Sequence, residues 1–456
     1  MNVIDKFRGQ VQEKFEKHPI LTWREEISAA RVEELRRKHA KRSRKRLWSV
    51  EFMLWFWLTA GIHRERSFNA VASELWAAIA AEVPELAGRR LNSGRMTEGR
   101  GRVPQEMIRD VREELAAKGV EEGQGMGLWR GRRVMWLDGS TLSMPDEPEL
   151  REAFGGPTNQ HGPSPFPVLR IVNLGVAATR VLVGSAHGSY KTSEIELSDA
   201  LLGKMEAGDV LTADRYFASA QNLARVKKQG ADAVMRKHCQ LKVSKHKRRK
   251  IGPQDWILEL SVPAEARKAH PELPETIEIR VFHIVAGHGA QRMDLWIETT
   301  LLDARKYSKA ELARVYLERW GVETSYAEVK VELHLDILRS KTVAGVHREI
   351  EAHLAAYNYI RLQMLRAAKQ AGIDARQLSF IEAVRTILKF GQMMDGCESA
   401  KRRKELLEIM VDQISGATIR QRPGRHEPRA VKRPPKPFPR LKGSRKEWRK
   451  SEDVAA

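Results

Sequence analysis

Two short apolar runs, each ending in a carboxylate, constrain the fold more than any other feature of this sequence. Arg133-Val-Met-Trp-Leu-Asp138 is followed by Gly139-Ser140, and Val210-Leu-Thr-Ala-Asp214 by Arg215-Tyr216-Phe217. Apolar runs of this length bounded by turn residues read as buried strands. Between them, Pro167–Val176 and Ala178–Ala186 read as a hairpin, and Thr192–Met205 has helical spacing. A helix from about Ser219 to Gln229 and a strand Ala231–Met235 follow. Strands alternating with helices predict an α/β core with crossovers. A strand that ends in Asp delivers that side chain to the carboxyl edge of the sheet, where open α/β folds place their sites.

The rest of the chain has a different texture on either side of this core. Residues 1–125 read as a helical, candidate DNA-binding domain, with an aromatic run at Leu47–Ile62 and a helix N-cap at Ser67. The aromatic run is shorter than the roughly 20 residues a membrane span needs, and Glu51 interrupts it, which predicts a buried helix. Residues 126–236 are the first part of the core. Residues 237–301 read as an all-β insertion, with strands at Trp256–Val262, Thr276–Ile284 and Met293–Leu302 preceded by a basic loop from Lys242 to Lys250. Residues 302–345 return to the core, 346–415 are C-terminal helices, and 416–456 are a basic, Pro-rich tail expected to be extended.

Composition narrows the partner. Of 456 residues, 80 are Lys or Arg and 59 Asp or Glu, a formal charge of +21, so a polyanion is the natural ligand. Two cysteines, Cys239 and Cys397, argue against a disulfide framework or zinc site and suit a reducing cytoplasm. No signal peptide is visible at the N-terminus, and no membrane partner is expected.

The helical periodicity that starts at the candidate N-cap Ser308 is read as continuing through Lys330. On such a helix Tyr316, Arg319, Glu323 and Lys330 fall within one narrow sector. A solvated face laced by ion pairs has the same pattern. Asp138, Asp214 and Glu323, if gathered, form an all-oxygen anionic cluster. Such a cluster suits Mg²⁺ or Mn²⁺, because three close carboxylates repel unless a cation intervenes. Two ions could then support an in-line phosphoryl displacement.

Leu137-Asp138-Gly139-Ser140, Ala213-Asp214-Arg215-Tyr216-Phe217 and the Tyr-x2-Arg-x3-Glu-x6-Lys pattern at 316, 319, 323 and 330 resemble the DDE transposases of bacterial insertion sequences. The likeness is to the insertion-sequence-four group. It extends to Leu338-Arg-Ser-Lys-Thr342, Ala356-Tyr-Asn-Tyr-Ile-Arg361 and Pro428–Arg433. The resemblance implies a ribonuclease H-like core with the two Asp on core strands, a β insertion, and the Glu on a late helix. It implies that Asp138, Asp214 and Glu323 ligate two Mg²⁺, with Mn²⁺ as substitute. Tyr316, Arg319 and Lys330 would grip phosphates near the transposon end. Arg215 either contacts DNA or pairs with a neighbouring carboxylate. Trp296 is placed as a base-stacking residue, with Trp256 as its rival and core packing as the third reading.

The implied activity is cut-and-paste transposition. Double-stranded DNA ends are cleaved through a hairpin, and the 3′ ends are joined to target DNA by a homodimer in a synaptic complex. The implied setting is a bacterial cytoplasm, at the nucleoid. The rivals are a ribonuclease H-like nuclease that does not join and a non-catalytic DNA-binding derivative.

Overall fold

The computed structural model describes residues 23–40, 48–63, 67–82, 92–160, 162–246, 248–286, 293–319, 325, 328–394, 397 and 399–419. The basic tail at 416–456 lies almost wholly outside the described residues, and the Pro428–Arg433 motif and Glu323 lie wholly outside them.

The N-terminal helices are α1 (Ala29–His39), α2 (Val50–Ile62), α3 (Phe68–Glu82), α4 (Ser93–Gly101) and α5 (Gln105–Glu122). Ser67 Oγ accepts from the Ala70 amide as an N-cap, as the sequence predicts. Helix α2 is buried on nearly every side, which explains an aromatic run without amphipathic spacing.

The sheet strands are β1 (Val134–Ser143), β2 (Val168–Val176), β3 (Leu182–Ser189), β4 (Val210–Ala213), β5 (Asp232–Arg236), β6 (Arg248–Gly252), β7 (Asp255–Ser261), β8 (Thr276–Ala286) and β9 (Met293–Thr299). Among the described residues they form one sheet in the order β3-β2-β1-β4-β5-β9-β8-β7-β6. Strands β1, β4 and β5 are mutually parallel, and β2 runs antiparallel to β1. The chain is mixed α/β with this large sheet at its centre. Helices α6 (Glu194–Leu202) and α7 (Ala220–Lys228) make the crossovers, capped by Ser193 and Ser219.

Two sequence expectations are corrected here. First, β1 does not end at Asp138. Its parallel pairing with β4 ends at Leu137↔Ala213, but antiparallel pairing with β2 carries it on to Ser143↔Val168, so Gly139-Ser140 is strand and not turn. Second, the basic loop is partly a strand. Arg248, Arg249 and Lys250 are exposed on β6, at the edge of the sheet, where charged side chains are an expected way of guarding unpaired backbone groups. The helical run from Ser308 is described as α8 (Lys309–Glu318), the helical residue Ser325 and one π-helical turn at Glu328–Glu332.

Strand β9 pairs antiparallel with β5, so the strands at 248–299 continue the core sheet rather than forming a second one. The C-terminal helices are α9 (Val343–Ala371), α10 (Phe380–Met394) and α11 (Ala400–Gly416). One continuous apolar cluster joins α2 and α5 to α9, α10 and α11, with Trp57, Val111, Leu354, Ile360 and Met410 fully or almost fully buried. No helix among the described residues is long and apolar enough to cross a membrane.

Candidate active site

Because Leu137 and Ala213 are register partners, Asp138 and Asp214 stand side by side where β1 and β4 separate, about 4.8 Å being the usual strand spacing. Leu137 and Ala213 face the apolar cluster under α6 and α7. Alternation along the strands therefore turns Asp138 and Asp214 to the opposite face, the one covered by α8. Asp214 anchors its own turn, accepting the Tyr216 amide at 2.8 Å. Arg215 is exposed beside it, as is Tyr216.

Three side chains from the late segment bear on this strand end. Tyr316 is 3% exposed, its ring packed with Val134, Val210 and Leu312. The Arg319 guanidinium lies 5.7 Å from the centre of that ring and 3.7 Å from the Asp138 carboxylate. Lys330 donates to Ser140 Oγ at 3.0 Å. Asp138 and Ser140 are two residues apart on β1 and share a face, so Arg319 and Lys330 flank one stretch of one strand.

The electrostatics are those of crowded acids. Burial pushes the Asp138 carboxyl up to about 7; Arg319 opposes the rise, whereas Asp214 and Glu194 add to it. Glu194 is raised as well, by burial first, with Arg170 opposing and Asp214 reinforcing. Burial lowers the Lys330 ammonium from its ordinary value, against the pull of Asp336.

Sequence reasoning missed Glu194. It opens α6, directly after the cap Ser193, and approaches β1 so closely that a Cβ on Gly139 would stand 2.4 Å from its carboxyl carbon. The legible signal was a Ser-Glu helix start in the crossover before β4; the contact with Gly139 was not legible. Ser140 was also missed as the partner of Lys330.

Trp296 is not brought to the Asp138–Asp214 face. It stacks on Trp256 with centroids 6.0 Å apart, touches His283, and packs against the apolar cluster of the other face of the sheet. It does lie toward the same end of the sheet as Asp214, since Lys237, just past β5, donates to its carbonyl. Glu323 lies outside the described residues. Among the described residues no three His, Cys, Asp or Glu side chains are placed to hold a metal ion.

The sheet presents paired aspartates at the end of two parallel strands, with a late Arg and Lys beside them, and comparison with known proteins identifies the class. The chain belongs to the DDE transposases: the family described as "Transposase DDE domain" matches residues 129–359, which contain every one of these side chains. Within that class it goes with the insertion-sequence-four family. It is 25% identical over 406 residues to the transposase InsG for insertion sequence element IS4 of Escherichia coli K12, covering 87% of this chain and 88% of that one. Among solved structures it aligns with the cryo-EM structure of the piggyBac transposase synaptic complex with hairpin DNA, at a TM-score of 0.38 and 12% identity over 88% of this chain and 84% of that one.

Proposed function

We propose that this chain is a cut-and-paste transposase with a ribonuclease H-like core, cleaving its element's ends through a hairpin and joining the 3′ ends to target DNA. The observation that carries the reading is the pairing of Asp138 with Asp214 at the carboxyl edge of β1 and β4, flanked by Arg319 and Lys330. The core reading draws support from Asp138 and Asp214 on or directly after parallel strands and from the strands β6–β9 inserted before α8.

The donor set fits a hard divalent cation. Two adjacent carboxylates, one of them raised to about 7 by burial, lack enough positive charge in Arg319 alone, and all the donors are oxygen. Asp138, Asp214 and Glu323 would hold two Mg²⁺, or Mn²⁺ in their place. Two such ions activate an attacking oxygen and stabilise a leaving one in phosphoryl transfer. Arg319 offers a planar fork to a phosphate and Lys330 a point charge. Tyr316, buried under Arg319, acts through the position it gives that guanidinium. Arg215, exposed beside Asp214, and Trp296 with its stacked partner Trp256 are assigned to the flanking DNA, the tryptophans as a stacking platform. We assign the helical residues before β1 to recognition of the ends. A dimer would hold both ends together.

The test is incubation of the protein with Mg²⁺ and a plasmid carrying its own element ends. Hairpin ends and joined products are expected. Nicks without hairpins or joining would favour the non-joining nuclease, and binding without cleavage a non-catalytic DNA-binding protein.

A further inference from the structure

Lys330 stands on an unusual piece of backbone. The turn Glu328–Glu332 is π-helical, with the Leu333 amide bonded to the Glu328 carbonyl. Single π turns are rare and need support from outside the turn. That support is a buried charge cluster that the proposed chemistry does not use, although two of its members, Tyr357 and Arg361, lie in the family-like stretch 356–361.

Glu328 begins the turn, and its carboxylate is buried. Oε1 accepts from Arg180 Nη1 at 2.9 Å. Oε2 accepts from Arg361 Nη2 and, at 3.4 Å, from the Tyr357 hydroxyl. Arg361 is 1% exposed, lies over the rings of Tyr357 and Phe380, and donates Nε to the Tyr357 hydroxyl at 3.2 Å. Its strong bonds thus go to Glu328 and Tyr357, with a weak third from Nη1 to Met364 Sδ. Arg180 comes from the β2–β3 turn with φ 59°, a left-handed conformation that suits glycine and disfavours arginine. An arginine held there against local preference is explained by what its side chain reaches. Beyond the turn, the chain is fixed again to β1: Ser143 donates to the Asp336 carbonyl and Leu338 to the Ser143 carbonyl. Lys330 lies between these two moorings, at Ser140.

We propose that Glu328 is a positioning residue for the phosphate-binding end of the site. Clamped by Arg180 from the core and Arg361 from α9, it fixes the π turn so that Lys330 projects onto β1, two residues from Asp138. The functional part of this inference rests on the reading of that strand end as the active site; the clamp itself does not. Helix α9, which carries Arg361, thereby bears on the site although it contributes no group to it.

The clamp is tested on the full chain with Arg180→Gly and Glu328→Gln. Glycine suits the backbone at 180, so Arg180→Gly removes the guanidinium while favouring the turn. Acetylation of Lys330 by an amine-reactive ester is followed by peptide mass mapping, with exposed Lys341 as internal reference. Lys330 is expected to react slowly in the unaltered chain and several-fold faster in both variants. Single-turnover cleavage of an element end should fall by about a hundredfold, the scale of a small misplacement of catalytic groups, with affinity for that end changed far less. Unchanged Lys330 reactivity in the variants overturns the clamp. If Glu328→Gln fails to fold, Arg180→Gly decides alone. If the unaltered chain cleaves nothing, the transposition reading fails, while the labelling still decides the clamp.

Discussion

Glu194 packs so tightly beneath Gly139 that no side chain fits at position 139 without moving it: an added Cβ would stand 2.6 and 2.7 Å from the two carboxylate oxygens. The glycine after Asp138 is therefore a matter of approach rather than of turn geometry, since β1 runs straight through it. A third carboxylate is brought to the edge of the Asp138–Asp214 pair, and burial raises both Asp138 and Glu194, with the Asp214 charge adding to each.

Gly139→Ala should thus act electrostatically. The group displaced is the far end of a flexible side chain, so the stability cost should stay near 1 kcal/mol or below. Moving Glu194 away removes a repulsion that raises Asp138. The expected result is a lower Asp138 pKa, read by carboxyl-carbon NMR titration. An unchanged value would show that Glu194 exerts no field at Asp138.

Asp138→Asn, Asp214→Asn and Glu323→Gln are each expected to reduce end cleavage to background, a loss of about 10³-fold or more, as for removal of a catalytic group. Binding of end DNA without metal should persist in all three, measured by fluorescence anisotropy. Normal cleavage by any one of them removes that residue from the site.

In the metal-free protein, Asp138→Asn should also stabilise the fold at alkaline pH. The carboxyl goes from 3.8 to about 7 on folding, so between those values the folded chain holds a proton that the unfolded chain has released. Stability therefore falls as pH rises through that window, and above it the whole cost is present. The variant should gain on the order of 2–4 kcal/mol at pH 8 and almost nothing at pH 4, by chemical denaturation. Equal gains at both pH values would contradict the assignment.

Glu298, on β9, gives an independent check: it is register partner of Met235, which pairs with Ala213, on the sheet face opposite Asp138 and Asp214. It is fully buried, its Oε2 accepting the His238 amide at 3.3 Å, and burial pushes it up to about 8 despite that bond and the nearby Lys237. By the same sign, folding stability declines as pH rises toward 8. Glu298→Gln, which keeps the shape, should therefore raise the melting temperature at pH 9 and leave it nearly unchanged near pH 4. A pH-independent difference would place the carboxyl in a wetter environment than the sheet provides.

Local chemistry made half of this site legible. Asp138 and Asp214 close apolar runs, and Tyr316, Arg319 and Lys330 recur at fixed spacing, all readable from residue types in order. What could not be read depends on neighbours distant in sequence. Nothing local says that Gly139 is strand, because β2 decides it. Nothing local says that the 248–250 charge run is an edge strand, because β7 decides it. Residues 180, 328 and 361 meet only after the whole fold has closed. The helical reading from Ser308 to Lys330 holds for the described residues of that run, but its π turn at 328–332 is not encoded in periodicity.

The burial of α2 against α9 also sets an order of events during synthesis. Trp57 and its neighbours on α2 leave the ribosome long before Leu354 and Ile360, the residues of α9 that share their cluster, exist. At 5–20 residues per second the wait is roughly 15 to 60 s. Throughout that interval the face of α2 that packs on α9 has no partner, and the neighbouring N-terminal helices cover the rest. A chain truncated before residue 343 is therefore expected to aggregate more readily than the full chain, because the face of α2 meant for α9 stays exposed.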